Sequence, residues 1–209
     1  MYYVSVLDLK ILGFLDDGPL HGYELRRRIN ELGGPGSHLS EGALYPALAR
    51  LERAGMLTRS EEPGARGRAR KVLTITDAGR ERLHELLRDP SESAVSSAPG
   101  FLEHLAFLSH LPDAVQRRSV LERRLAVLTG EPPAFFYDDG RPRRAGQESD
   151  PYRLGMIRVA GASRRAEILW LREMLTAGTR AVEDSGTDTA GRSTQSPPSA
   201  SGTSHQEHG

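Results

Sequence analysis

The chain of 209 residues contains no cysteine, and its 28 basic side chains are matched by 28 acidic ones. Without cysteine there is no disulfide, thiolate zinc site or cysteine nucleophile. Zero net charge is unlike that of proteins that coat nucleic acid, which are strongly basic. No apolar run approaches the ~20 residues that cross a bilayer. Asp8 and Lys10 interrupt the N-terminal apolar stretch, unlike a signal peptide. We therefore expect a soluble, cytoplasmic protein.

The sequence also lacks the common catalytic patterns. Its seven histidines show no zinc-ligand spacing, and the phosphate-binding loop, GxGxxG and GxSxG motifs are absent. Asp138 and Asp139 are paired acids in a predicted turn, without the supporting groups of a metal or acid–base site. We expect no enzyme activity, no cofactor and no metal.

Changes in composition divide the chain. From Ser185 onward there is no Val, Ile, Leu, Met or aromatic residue, which predicts a disordered tail over 185–209. Residues 129–150 are rich in proline and glycine and predict a long loop. The Ser/Pro/Ala-rich stretch 89–100 separates two structured blocks. We expect one domain over 1–89 and a second over 100–184.

The first block has the pattern of a winged helix-turn-helix. Hydrophobic periodicity and turn residues predict helix, helix, helix, hairpin, helix. These elements are expected at Val4 to Leu15, about His21 to Leu32, Ser40 to Gly55, Met56 to Ile75, and Thr76 to about Arg88. In the third helix, Leu44, Leu48 and Leu51 should face the core. The predicted fold is mainly α with one small β-hairpin, followed by a C-terminal α-helical domain.

The predicted hairpin tip concentrates positive charge. Between Pro63 and Val72 there are four cations and no acid: Arg66, Arg68, Arg70 and Lys71. Neutralising phosphates supplies most of the affinity for nucleic acid, so this tip is suited to DNA. The alternative is a solvated basic loop. Lys10 and Lys71 are the only lysines, so nearly all of the basic residues are arginines. An excess of arginine suits phosphate recognition, and it also follows from a GC-rich genome.

The third predicted helix has an outward N-terminal face. Small residues there allow a close backbone approach, and a helix N-terminus favours phosphate. The Tyr45 hydroxyl can donate to a phosphate or base edge, and Ala43 can touch a thymine methyl. Pro46 removes one helical hydrogen bond and predicts a bend. Alternatively, Tyr45 packs sideways against the second helix or the wing.

Four motifs resemble the PadR family of bacterial transcriptional regulators: GPLHGYEL (18–25), SEGALYPALARLE (40–52), GRARK (67–71) and LTITDAG (73–79). The resemblance implies a winged-helix DNA-binding domain, a homodimer, and repression relieved by a small molecule or another signal. Val72-Leu73 departs from the family, which often has aromatic residues there. The expected DNA-contacting residues are Tyr23, Ser40, Gly42, Ala43, Tyr45, Pro46, Arg66, Arg68, Arg70 and Lys71.

The second block resembles the longer PadR subfamily, whose C-terminal helices contribute to the dimer. An apolar helix is predicted at 101–108, another through Val120 to Leu128, and a last one from Asp150 to about Glu183. The last helix has apolar residues on two faces, one for its own subunit and one for a partner. One candidate pocket for a small apolar effector lies at the dimer interface. The alternative is that the same residues pack in the core: Phe101, Phe107, Met156, Trp170 and Met174.

The resulting prediction is a homodimeric, sequence-specific DNA-binding transcriptional regulator, more often a repressor than an activator, whose partner is a double-stranded operator with an inverted repeat. The alternative is a winged-helix module that binds ligands or proteins and does not use DNA, since fold alone does not determine function. Zero net charge favours the alternative slightly, and the cationic wing favours DNA.

Overall fold

The computed structural model describes residues 2–62, 70–130, 137–138, 141–142 and 148–187. These residues form a winged helix-turn-helix followed by further helices, as the sequence predicts. The elements are α1 (Tyr2–Asp16), β1 (Leu20–His21), α2 (Gly22–Leu32), α3 (Glu41–Arg53), β2 (Leu57–Glu62), β3 (Arg70–Ile75), α4 (Asp77–Arg88), α5 (Glu92–Ser96), α6 (Ala98–Leu105), α7 (Ala114–Thr129), β4 (Tyr137–Asp138), β5 (Arg141–Pro142) and α8 (Pro151–Thr187). A 3₁₀ turn, Leu108–His110, follows α6.

The wing is a three-stranded antiparallel sheet in the order β1-β3-β2. Strands β2 and β3 pair from Leu57 opposite Ile75 to Glu62 opposite Arg70. The first strand was not predicted, because His21 was expected to begin the second helix. Instead His21 pairs with Val72, and α2 begins at Gly22. A two-residue strand has no periodicity of its own, and only its partner β3 reveals it.

Side-chain caps define the starts of α3 and α4, as predicted. The Ser40 hydroxyl accepts a hydrogen bond from the Ala43 amide at 3.2 Å, and the Thr76 hydroxyl accepts one from Gly79 at 3.1 Å. Each cap satisfies one of the amides that a helix N-terminus leaves unpaired. Helix α3 runs through Pro46 to Arg53 without interruption.

One hydrophobic core joins the two predicted domains. Leu44, Leu48 and Leu51 are buried in it, as expected, and so are Phe101, Phe107 and Leu171 of the second block. The Phe107 ring packs edge-on against Phe14 of α1, with 5.0 Å between ring centroids.

The stretch 89–100 is not an open linker. It forms α5 and the start of α6, which are capped by the hydroxyls of Ser91 and Ser97. The Ser, Pro and Ala residues that suggested a linker are also residues favoured at helix starts and in short helices. Ala94 and Val95 are buried, so α5 packs onto the rest of the molecule.

A buried arginine connects the C-terminal helices. Arg124 of α7 is 1% exposed and contacts three elements. Its guanidinium donates to both carboxylate oxygens of Glu167 in α8, at 2.7 and 2.9 Å, and to the Val95 carbonyl at 2.6 Å. It also lies 5.1 Å from the centre of the Phe101 ring. A buried charge needs this degree of pairing to be tolerated.

The end of the chain differs in detail from expectation. Helix α8 ends at Thr187, beyond the predicted end at Glu183. The remainder of the predicted tail, 188–209, lies outside the described residues. Within the predicted loop 129–150, β4 and β5 pair, with Tyr137 opposite Pro142. Among the described residues, no helix is both long and apolar enough to span a membrane.

Candidate nucleic-acid interface

The N-terminal half of α3 turns one side to the core and the other to solvent. Leu44 and Leu48 are buried, whereas Ser40, Gly42 and Pro46 are exposed. Tyr45 is 47% exposed, so part of the residue is accessible from outside the protein. Ala43 is partly buried and packs against the core, so it is less accessible than its exposed neighbours Gly42 and Tyr45.

Tyr45 lies at a cavity between α3, the start of α2 and the wing. The cavity has a volume of about 380 Å³ and is lined by His21, Gly22, Tyr23, Tyr45, Leu48, Arg59, Lys71 and Leu73. Tyr45 packs close to the start of α2, since a Cβ placed on Gly22 would lie 3.7 Å from Tyr45 Cε1. The sideways packing considered for Tyr45 and its solvent exposure therefore occur together.

Tyr23 and Lys71 complete the exposed rim of this cavity. The Tyr23 side chain is 61% exposed, and its ring stacks on that of His21, with 5.8 Å between centroids. Lys71 is exposed at the start of β3. The structure thus brings three of the predicted DNA-contacting side chains, Tyr23, Tyr45 and Lys71, around one cavity. Arg66 and Arg68 lie outside the described residues, and so does the side chain of Arg70.

Ion pairs connect α3 to the two helices that precede it. Arg50 at its C-terminal half binds the buried Asp8 of α1 with two hydrogen bonds, one of them 3.0 Å from Nη1 to Oδ2. Glu41 at its first turn accepts from Arg26 of α2 at 2.5 Å. Sequence reasoning did not identify Asp8 as a positioning residue, although a carboxylate within an apolar helix signals that a partner is needed.

His21 and Arg59 also line the cavity and were not predicted. The Nδ1 of His21 lies 3.1 Å from the Lys71 carbonyl, and Arg59 Nε lies 3.0 Å from Glu52 Oε2 of α3. The motif containing His21 was noted, but only the pairing of β1 with β3 brings its ring beside the wing lysine.

The five residues expected to line an effector pocket do not come together within one protomer. Phe101 and Phe107 are buried in the core, and Trp170 packs partly against it. Met156 and Met174 are exposed. They lie 18 positions apart on one helix, which corresponds to about 27 Å at 1.5 Å per residue. Core packing, the alternative considered for the phenylalanines, is what the structure has.

No arrangement of three or more His, Asp or Glu side chains suited to a metal ion occurs among the residues that the structure describes. The acids near α3 pair with arginines: Asp8 with Arg50, and Glu52 with Arg59.

The N-terminal part of the chain is similar to known proteins. Residues 11–85 match the model of the Transcriptional regulator PadR-like family. The transcriptional regulator Rv3488 of Mycobacterium tuberculosis is 43% identical over 90 residues, covering 43% of this chain and 80% of that protein. The negative transcriptional regulator PadR of Bacillus subtilis is 32% identical over 84 residues, covering 40% of this chain and 46% of PadR.

An uncharacterised 37.1 kDa protein in transposon TN4556 of Streptomyces fradiae is 35% identical over 125 residues, 58% of this chain, which spans only 34% of that protein's length. A solved transcriptional regulator from Clostridium thermocellum is 28% identical with a TM-score of 0.36, over 39% of this chain and 78% of that one. With most of Rv3488 matched at this identity, the chain belongs to the PadR-like family of transcriptional regulators.

Proposed function

We propose that the chain is a homodimeric regulator that binds operator DNA in a sequence-specific manner and represses transcription until a signal releases it. Helix α3 enters the major groove, and the wing contacts the flanking backbone. The observation that carries the proposal is the convergence of Tyr23, Tyr45 and Lys71, from α2, α3 and β3, on one exposed rim.

The chemistry of this rim supports DNA as the ligand. Gly42 and Ser40 leave the first turn of α3 open, since a Cβ on Gly42 would meet nothing closer than the Ser40 hydroxyl at 3.8 Å. A duplex backbone can therefore approach the unpaired amides of that turn. The Lys71 ammonium and the wing-tip arginines provide charge for phosphates, and the tyrosine hydroxyls can donate to phosphates or base edges.

An exposed apolar stripe on α8 supports the dimer. Along one side of this helix, exposed residues recur at alternating intervals of four and three, and all but Ser163 are apolar: Tyr152, Met156, Val159, Ser163 and Ala166. The Tyr152 side chain is 88% exposed and that of Val159 is 68% exposed. A seam with this repeat packs against another helix, and in a homodimer the partner is the same seam of a second copy.

Repression is proposed from the relatives, since the B. subtilis PadR that resembles this chain is named a negative transcriptional regulator. Release by a small apolar effector is part of the same proposal. Phe101 and Phe107 are buried in the core, and Met156 and Met174 lie far apart on α8. An effector site that includes both methionines therefore requires two subunits.

Selection from random duplex DNA at about 150 mM salt, followed by a salt titration on the enriched sequence, tests the proposal. We expect an inverted repeat whose half-sites are centred about 34–36 Å apart, or a multiple of this. The affinity should fall steeply as salt rises, because phosphate contacts release counterions. Absence of an enriched sequence, together with weak binding that does not respond to salt, would favour a ligand- or protein-binding module.

Lys71→Gln provides a sharper version of this titration. Losing a phosphate contact should weaken binding on all sequences and flatten the salt slope by about one unit per contact. Arg172→Gln removes an exposed cation of α8 and is the matched control, which should leave the slope unchanged. Equal salt slopes of DNA binding for the two variants would show that Lys71 makes no phosphate contact.

A further inference from the structure

We propose that His21 makes operator binding dependent on pH, because its ring takes up a proton as a DNA phosphate approaches the cavity rim. This inference rests on the proposed function and adds to it a residue outside the expected set of DNA contacts. It follows from the position of one imidazole between β1, α2 and β3.

The hydrogen bond of His21 determines which ring nitrogen is free. Nδ1 lies 3.1 Å from the Lys71 carbonyl oxygen, which can only accept. Nδ1 must therefore carry a hydrogen in both protonation states, and Nε2 is the site that gains or loses the second proton. Stacking on the Tyr23 ring, with 9° between the ring planes, restrains the imidazole further.

The ring lines the same cavity as the three side chains that we propose to contact DNA. A phosphate at the rim beside Tyr23, Tyr45 and Lys71 would meet an imidazole whose unprotonated Nε2 offers only a lone pair. Protonation converts that nitrogen into a cationic donor, which forms a stronger, charge-assisted hydrogen bond with phosphate.

Other charged groups surround His21, and most of them are paired. Lys71 and Arg59 are the cations that line the cavity, and Tyr23 and Tyr45 are its other titratable groups. Arg59 is paired with Glu52, and Glu24 of α2 is paired with Arg28 at 2.9 Å. Glu61 stands opposite Lys71 in the β-ladder. These groups are present with and without DNA, so the charge that changes on binding is that of the phosphate.

Linkage then gives the direction of the effect. If the complex binds more protons than the free components, the affinity must rise as the pH falls. Uptake of one full proton would change the affinity about tenfold per pH unit, and two full protons, one per protomer, would change the affinity of the dimer about a hundredfold; a partial uptake gives less. We expect the dissociation constant of the dimer to increase about three- to tenfold between pH 6 and pH 8.

Fluorescence anisotropy with the enriched duplex, at constant ionic strength from pH 6 to pH 8, measures this slope. His21→Gln keeps a side-chain amide that can donate to the Lys71 carbonyl and cannot become charged. We expect it to lack the gain in affinity that the unmodified protein shows as the pH falls to 6, and so to lose most of the pH dependence. His84→Gln, on α4, is the control and should keep the slope.

Calorimetry in buffers of different ionisation enthalpy counts the protons taken up on binding. The unmodified protein should take up protons near pH 7, and His21→Gln should take up fewer. If His21→Gln binds poorly for structural reasons, the NMR signals of the His21 ring in the unmodified protein provide the test. Adding the duplex at pH 7 should shift these signals toward the chemical shifts of a protonated imidazole.

The possible failures are distinct. No binding to any duplex at any pH would contradict the proposed function itself. Operator binding with equal pH slopes in His21→Gln and the unmodified protein, or ring signals unchanged by DNA, would retain the proposed function and overturn the role of His21.

Discussion

Tyr45 contributes both a ring and a hydroxyl to the exposed side of α3. Its ring packs near Gly22, so part of the side chain has a structural role, and 47% of its surface remains available for contact. The two roles can be separated by substitution, because phenylalanine keeps the ring and alanine removes it.

We predict that Tyr45→Ala weakens binding to the enriched duplex by about 1–3 kcal/mol, the range for one good base-reading contact. Tyr45→Phe should show a large part of this loss if the hydroxyl makes the contact. Anisotropy titrations on the enriched and a scrambled duplex measure both. A loss for alanine with none for phenylalanine would assign Tyr45 a packing role only.

A second residue-scale prediction concerns His104, which is buried in α6. Burial lowers its pKa below the ordinary value of 6.5, and the charge of Arg123 acts in the same direction, while the hydrogen bond to the Leu87 carbonyl opposes both. The folded state therefore holds His104 neutral. The unfolded chain binds a proton more readily, so stability is lost as the pH falls below about 6.5.

Urea unfolding at several pH values from 7.5 to 5 measures this effect. A single histidine contributes at most about 1.4 kcal/mol per pH unit. We expect His104→Gln, which keeps a donor for the Leu87 carbonyl, to be less stable at pH 7.5 and to have a flatter pH profile. An unchanged profile in this variant would show that the acid sensitivity has another source.

At the scale of elements, the position of α3 depends on contacts at both of its ends. The Ser40 cap and the Arg26–Glu41 pair hold the first turn, and Arg50 ties the second half to Asp8 of α1. The exposed pair contributes little to stability in general. Asp8 is 4% exposed, and leaving its charge unpaired would be costly. Of these polar contacts, the pair of Arg50 with Asp8 therefore contributes most to holding α3 on α1.

Near the start of α4, Gly79 lies close to the backbone that precedes β2. A Cβ on Gly79 would lie 2.0 Å from the Met56 carbonyl oxygen, a backbone atom that cannot rotate away. The LTITDAG motif ends on this glycine, and the close approach is its physical reason.

We predict that Gly79→Ala lowers the free energy of unfolding by about 1–3 kcal/mol, the usual cost of overpacking. Gly42→Ala is the matched control, because Gly42 also lies in the first turn of a helix and has space for a methyl group. That control should be neutral or slightly stabilising, since alanine favours the helix. Urea denaturation compares the two, and equal stability would mean that α4 shifts to relieve the clash.

At the scale of the whole molecule, the two predicted domains share a core and are tied by polar contacts. Lys10 of α1 binds Glu103 of α6 at 2.5 Å. His110, in the 3₁₀ turn, lies 2.9 Å from Asp16 and 3.2 Å from Asp17 at the end of α1. These contacts hold α6 and the 3₁₀ turn against α1 of the winged helix.

Dimer formation is the whole-molecule prediction. Val159→Glu places a charge in the exposed stripe of α8, and we expect the dimer to dissociate and operator affinity to fall at least tenfold. Sedimentation and anisotropy measure the two effects. Arg158→Glu places the same carboxylate about 100° around the helix and is the control. A dimer that survives Val159→Glu with full affinity would place the interface elsewhere.

Local patterns in the sequence were sufficient for much of this molecule. Leucine spacing, the Ser40 and Thr76 caps and the turn residues determined α3, α4 and the hairpin, because these depend on neighbours a few residues away. The motifs that carry the family resemblance lie in the same segments. Helix α5 within the stretch 89–100 was not predicted, since the composition there suits short helices as well as linkers.

Only the tertiary structure decided which distant residues meet. Strand β1 exists because β3 pairs with it, and that pairing brings His21 to Lys71 and completes the cavity with Tyr23 and Tyr45. Packing alone joined Phe107 to Phe14 and Arg124 to Glu167, and it placed Met156 and Met174 far apart. Contacts of this kind depend on how the elements pack in three dimensions, and the spacing of residues along the chain does not specify which distant residues meet.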